Sequence, residues 1–126
     1  MKKYKITIIT VTKDSEKYLK ENINSVLSQT YKNYEHIFID GNSTDKTIKI
    51  IRSYKTKVKL IKNKNDKGLY HAMNVGIKEA KGDIIGILNS DDIYFKNTLK
   101  TVNKYFNFDK NLDFLFGSVY KHKLLH

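Results

Sequence analysis

The stretch Gly82-Asp83-Ile84-Ile85-Gly86-Ile87-Leu88-Asn89-Ser90-Asp91-Asp92 decides the fold. Four large apolar residues and a glycine stand between polar flanks, and β-branched residues dominate the run. It falls far short of the ~20 apolar residues a membrane helix needs. It reads as a strand buried on both faces, as in a parallel sheet. The run stops at two adjacent carboxylates, Asp91 and Asp92. In open α/β sheets the ligand crevice lies outside the carboxyl ends of the strands. Two hard oxygen ligands there suit Mg²⁺ or Mn²⁺, which binds through one or two carboxylates plus substrate phosphates. The plainer alternative is an Asp pair that caps the following helix.

Upstream, Lys5 to Thr12 reads as a first strand, carrying Ile6, Ile8, Ile9 and Val11. Asp14-Ser15-Glu16 looks like a helix cap, and the helix after it places Leu19, Ile23, Val26 and Leu27 on one face. Tyr34 to Asp40 is a second strand, and Gly41-Asn42-Ser43-Thr44-Asp45 a turn with an N-cap. A second helix carries Ile48, Ile51 and Tyr54 before a short third strand, Val58 to Ile61. From Leu69 to Lys81 a third helix repeats small residues at Ala72, Gly76 and Ala80, a ridge that permits close approach to the sheet. Gly82 fits a left-handed helix terminator. Downstream, Tyr94 onward is a fourth helix and Leu112 to Val119 a further strand. Alternation of this kind implies a parallel sheet with right-handed crossovers and helices on both faces.

Composition narrows the function. A chain of 126 residues is one domain at most, and it carries no cysteine and no proline. A disulfide or zinc framework is excluded, and a reducing compartment is the default. The N-terminus has no signal-peptide pattern, so no leader is expected. The formal net charge of +11 invites nucleic acid, an anionic membrane surface or an anionic small substrate as partner. Arg52 is the only arginine, and arginine is the favoured residue for bidentate base and phosphate recognition, which weakens the nucleic-acid reading. The wealth of Lys, Asn and Ile also fits codon bias in an AT-rich genome.

Three strand ends bring polar residues toward one edge: Thr12, Asp40, and Asp91 with Asp92. Neither a Gly-x-Gly-x-x-Gly loop after the first strand nor a P-loop is present, so dinucleotide and P-loop chemistry are poor readings.

Five blocks carry a family resemblance: Ile6 to Leu19, Ser25-Val26-Leu27-Ser28-Gln29-Thr30-Tyr31, Ile39 to Asp45, Gly68 to Ile77, and Gly82 to Asp92. In their order and spacing they resemble the donor half of family 2 glycosyltransferases. The resemblance implies a GT-A (Rossmann-like) three-layer α/β/α fold with a mainly parallel central sheet, truncated before the acceptor half. Residues 1–126 would form a single nucleotide-diphospho-sugar-binding domain. Val11 and Thr12 match the segment bordering base and ribose, and Asp40 the carboxylate that accepts a hydrogen bond from the base. Asp91 and Asp92 match the metal-binding Asp-x-Asp region; Asn89 stands where the family commonly has a further Asp. Lys67, near the expected phosphates, is either a diphosphate clamp or a solvated lysine. The implied reaction is metal-dependent, inverting transfer from a nucleotide-diphospho-sugar to an acceptor hydroxyl, with Mg²⁺ or Mn²⁺, in bacterial surface polysaccharide synthesis. The implied partners are the donor and a glycan or lipid-linked acceptor, not nucleic acid. The expected location is cytoplasmic, with peripheral contact at the inner face of the plasma membrane.

Each residue also has a structural reading. Thr12 can simply end its strand, and Asp40 can serve only its turn. Tyr70 reads as a core aromatic ahead of a lining residue of the donor pocket, and Asn74 as a structural hydrogen bond ahead of a substrate contact. His36, His71, His122 and His126 show no metal-ligand spacing. An inverting transfer needs a general base. In the family that carboxylate lies downstream in the acceptor half, so no catalytic base is assigned. A non-catalytic nucleotide-sugar-binding module, or an inactive fragment, is therefore the alternative.

Overall fold

The computed structural model describes residues 1–65, 67–113, 115 and 120–121, the last two as backbone. Four strands form a parallel sheet in the order β3-β2-β1-β4: β1 Ile6–Thr12, β2 Tyr34–Asp40, β3 Lys59–Lys62 and β4 Ile84–Ile87. The helices are α1 Leu19–Leu27, α2 Thr47–Ser53, α3 Leu69–Glu79 and α4 Thr98–Phe108. β5 (Asp92–Ile93) and β6 (Tyr120–Lys121) form a separate antiparallel pair. The central sheet is parallel as expected, and the antiparallel pair stands outside it. Among the strand predicted over 112–119, Leu112, Asp113 and Leu115 are not in a strand, and the others lie outside the described residues.

The period-2 geometry of strands divides the core into two faces. Even-numbered residues of β1 and β2, including Ile6, Ile8 and Phe38, pack with Leu19, Ile23 and Val26 of α1, Ile51 of α2 and Leu99 of α4. The odd-numbered Ile9, Ile37 and Ile39 pack with Ala72 and Val75 of α3. The result is three layers, α/β/α. A Cβ added at Gly76 would meet Ile9 Cγ2 at 2.8 Å, so the small-residue ridge does bring α3 close to β1. The ridge stops earlier than expected, because Ala80 is already extended (ψ 134°).

Two further expectations are corrected. Gly82 is not left-handed; among the described residues Gly68, at φ 95°, is the glycine with positive φ. A Cβ at Gly82 would lie 2.6 Å from both the Thr7 nitrogen and its Oγ1, and 2.8 Å from the Lys5 carbonyl oxygen, so close approach is what requires glycine there. The Ile84–Ile87 strand lies at the sheet edge, beyond β1, and is not buried on both faces. Ile85 is 40% and Ile87 43% exposed. An apolar cleft of about 890 Å³ runs between this strand and α4, lined by Ile84, Ile87, Tyr94, Phe95 and Tyr105 among others.

Candidate functional site

The carboxyl rim of the sheet begins with a register fact: Thr12 of β1 stands beside Asp40 of β2. Both are fully buried, and Thr12 Oγ1 donates to Asp40 Oδ1 at 2.7 Å. Ser43 donates twice to the same carboxylate, from Oγ to Oδ1 at 2.6 Å and from its backbone N–H to Oδ2 at 2.8 Å. A carboxylate offers about four lone-pair sites, and three are taken by the protein. The side chain of Asp40 thus closes the β2–α2 turn. Val11 is half-buried one residue before this pair.

The loops after β1 and β2 are latched together. Lys13 Nζ donates to the carbonyls of Gly41 (2.7 Å) and Asn42 (3.1 Å). Asp14 adopts a positive φ of 48°, and its Oδ1 accepts from the N–H groups of Thr44 (2.7 Å) and Asp45 (3.3 Å). Ser15 N–H donates to Thr47 Oγ1, and Glu16 N–H to Asp45 Oδ2. The Asp14-Ser15-Glu16 cluster therefore serves the loop leading into α2. It does not cap α1, which starts at Leu19 without a side-chain cap. Burial works to raise the Asp45 carboxyl, but hydrogen bonds from Thr47 and Glu16 outweigh it and hold the group below the usual carboxylate range.

The third contribution comes from the turn after β4. Asp92 N–H donates to the Asn89 carbonyl at 3.1 Å, closing Asn89-Ser90-Asp91-Asp92 into a β-turn. Ser90 Oγ meets Ser15 Oγ at 3.2 Å, which ties this turn to the β1–α1 loop. Burial divides the Asp pair expected to face a ligand together. Asp91 is half-buried, whereas Asp92 is 2% exposed. Asn89 Nδ2 donates to Asp92 Oδ2 at 3.3 Å, and Asp92 Oδ1 is buried without a partner. Among the described residues no group of three or more His, Cys, Asp or Glu converges. Mg²⁺ and Mn²⁺ do not require one, since substrate phosphates and water complete their shells. The accessible Asp91 carboxylate fits such an ion.

The structure thus brings Thr12 and Asp40 into contact and sets the Asp91 turn on the same rim. Lys67 is exposed in the loop before α3, and no described hydrogen bond or ion pair joins it to the rim. Tyr70 is 80% exposed, which overturns its core reading, and Asn74 is also exposed. His36 is a core residue whose Nε2 pairs with Thr10 Oγ1 at 2.8 Å. His122 and His126 lie outside the described residues. Sequence reasoning missed Lys13, and it missed two fully buried polar side chains, Asn22 on α1 and Gln29 just beyond the end of that helix. For Asn22 the signal was present: it interrupts the buried face that carries Leu19, Ile23 and Val26.

The sequence model of glycosyl transferase family 2 matches residues 7–124. Glycosyltransferase GlyG of Streptococcus pneumoniae is 32% identical over 120 residues, 93% of this chain and 40% of that protein. The Escherichia coli UDP-Glc:alpha-D-GlcNAc-diphosphoundecaprenol beta-1,3-glucosyltransferase WfgD is 34% identical, covering 94% of this chain and 47% of that protein. S. aureus TarS 1-349 in complex with UDP-GlcNAc superposes with a TM-score of 0.77 at 32% identity, over 82% of this chain and 31% of that one. The chain spans less than half the length of the two curated relatives.

Proposed function

The chain belongs to glycosyl transferase family 2 and has its GT-A α/β/α fold, and from that premise we propose that it is the donor-binding portion of an inverting, metal-dependent glycosyltransferase. The observation that carries the reading is the meeting of three strand ends on one rim, through Thr12–Asp40 and Ser15–Ser90. Val11 and Thr12 would border the nucleotide base and ribose. Asp40 would act on the base, either through its remaining lone pair or by fixing the turn against which the base rests. Lys67 would supply positive charge to the diphosphate. Asp91 would be the main protein ligand of Mg²⁺ or Mn²⁺, with Asp92 behind it. When bound, the divalent ion neutralises charge on the leaving diphosphate.

The chemistry is a single displacement. The acceptor oxygen bonds to the anomeric carbon as the sugar–phosphate C–O bond breaks. The electron pair leaves with the nucleoside diphosphate, and the acceptor proton passes to a general base. None of the described residues is assigned that base, which favours a second reading: a nucleotide-sugar-binding module without efficient transfer. The name of the E. coli relative supports a lipid-linked acceptor, and with it a role in bacterial surface polysaccharide synthesis. No helix among the described residues is long and apolar enough to cross a membrane. The basic chain would instead lie peripherally at an anionic membrane face.

Calorimetry with UDP and UDP-GlcNAc, with and without Mn²⁺, tests the proposal. The wild type should bind in a metal-dependent manner. Asp91→Ala should keep its fold and lose on the order of 10²-fold in any turnover, with at least a tenfold loss of Mn²⁺-dependent affinity. Unchanged affinity in Asp91→Ala would remove the metal assignment. Salt-sensitive DNA or RNA binding without nucleotide binding would replace the whole reading.

A further inference from the structure

We infer that Asn22 is a positioning residue that sets where Asp91 stands, an inference that rests on the donor-site reading above. Asn22 lies on α1 and is fully buried. Its Nδ2 donates to the carbonyl oxygen of Asn89 at 2.9 Å and to that of Asp92 at 3.1 Å. These are the first and last residues of the turn that presents Asp91. One amide therefore spans the mouth of the turn and uses both of its N–H donors to do so.

The amide's orientation is dictated by this arrangement. Flipping it would set Oδ1 against two carbonyl oxygens. With Nδ2 facing them, Oδ1 is left buried and without a partner, and Asp92 Oδ1 is in the same condition.

Neighbouring side chains extend the same device. Ser25 Oγ accepts from the Tyr94 N–H at 3.1 Å and donates to the Asn22 carbonyl at 2.7 Å. Gln29 donates from Nε2 to the Phe95 carbonyl at 2.6 Å and accepts from the Leu99 N–H at Oε1 at 3.0 Å. Asn22 and Ser25 are three residues apart and share one stripe of α1, and Gln29 follows just beyond the helix end. The segment 89–97 has only the two-residue β5 for regular pairing. Several of its backbone groups are instead satisfied by side chains of α1 and of Gln29 beyond it, and the turn bearing Asp91 is located relative to α1, not to β4 alone. A displacement of about 1 Å at a site of this kind can cost 10²-fold in rate.

Asn22→Asp keeps the shape and removes both donors; Asn22→Ala provides a second variant should the first fail to fold. In hydrogen exchange without any ligand, either variant should expose the Asp92 amide while amides of β1 and β2 stay protected. Unchanged protection at Asp92 would overturn the inference whatever the fate of the donor-site reading. In calorimetry, UDP affinity in the presence of Mn²⁺ should fall roughly tenfold or more, with UDP affinity in EDTA little changed. An equal loss with and without Mn²⁺ would mark Asn22 as a merely structural residue. Failure of the wild type to bind UDP in a Mn²⁺-dependent way would instead count against the donor-site reading, and the exchange result would still decide the role of Asn22.

Discussion

His36 lies at the centre of β2 with 2% of its surface exposed, its ring 4.2 Å from that of Phe38. Nε2 has Thr10 as partner, and Nδ1 is buried without one. Burial pushes the imidazole pKa down to about 3, so the folded protein holds it neutral. An unfolded chain takes up a proton near pH 6.5. Below that pH the unfolded state binds more protons than the native state, and stability falls with pH at up to about 1.4 kcal/mol per unit. Glu35 and Asp45 are both held below the usual carboxylate range, so their contributions are lost only under more acidic conditions. The window from pH 6.5 to 5 therefore reports His36. Urea denaturation should show the wild type weakening across it and His36→Leu nearly flat; parallel curves would place the proton elsewhere. Gly82 makes a second point at this scale. That a glycine is needed there was legible in the sequence, but the reason was not. A terminator and a close approach leave the same letter, and only the backbone of Lys5 and Thr7 settles the matter. Gly82→Ala should destabilise by about 1–3 kcal/mol through overpacking, measurable by thermal unfolding. A neutral result would show that the 80–83 segment can move aside.

Among the elements, β1 and β2 match their sequence reading because each is flanked by strands and covered by helices on both faces. β4 does not, although its apolar run is as continuous as theirs. A run of Ile and Leu records compatibility with burial, whereas the number of neighbours depends on strands elsewhere in the chain. Ile9 and Ile87 make a direct comparison, since they stand side by side in the β1–β4 register. Ile9 is fully buried and touches the α3 glycine, while Ile87 is 43% exposed. Ile9→Ala should cost about 2–5 kcal/mol, and Ile87→Ala under about 1.5 kcal/mol, in keeping with its partial exposure. Chemical denaturation of the two variants checks the contrast, and equal losses would contradict the edge placement of β4. The fourth helix was displaced for a related reason. The backbone of residues 92–97 is held by the α1 side chains of Asn22, which donates to the Asp92 carbonyl, and Ser25, which accepts from the Tyr94 N–H, and by the Thr30 N–H, which donates to the Lys96 carbonyl. Helix geometry therefore begins only at Thr98.

At the scale of the whole molecule, the site was half legible in advance. Thr12 and Asp40 could be paired on paper because parallel strands end together. Lys13 and Asn22 could not, because their partners are backbone carbonyls, which no residue pattern marks. Charge is the other global property. The formal net charge is +11, and the one ion pair among the described residues is Lys59–Glu79 at 3.4 Å, with both side chains about half exposed. Such a pair contributes little. The other positive side chains are mostly exposed lysines, and a large net charge of one sign destabilises the compact state by self-repulsion. Raising ionic strength from 0.01 to 0.15 M shortens the Debye length from about 30 to about 8 Å. That screens repulsion between distant lysines while leaving contacts such as Lys13 with Gly41 in place. Stability should therefore rise with NaCl, and a gain of about 1 kcal/mol would move Tm by roughly 3–6 °C in a chain of this length. Chloride is the right salt for the scan, since phosphate and sulfate can bind a diphosphate site and stabilise by mass action instead. A Tm that falls with NaCl would mean that attractive pairs outweigh repulsion, and the surplus of lysine would then need a structural explanation that no described ion pair supplies.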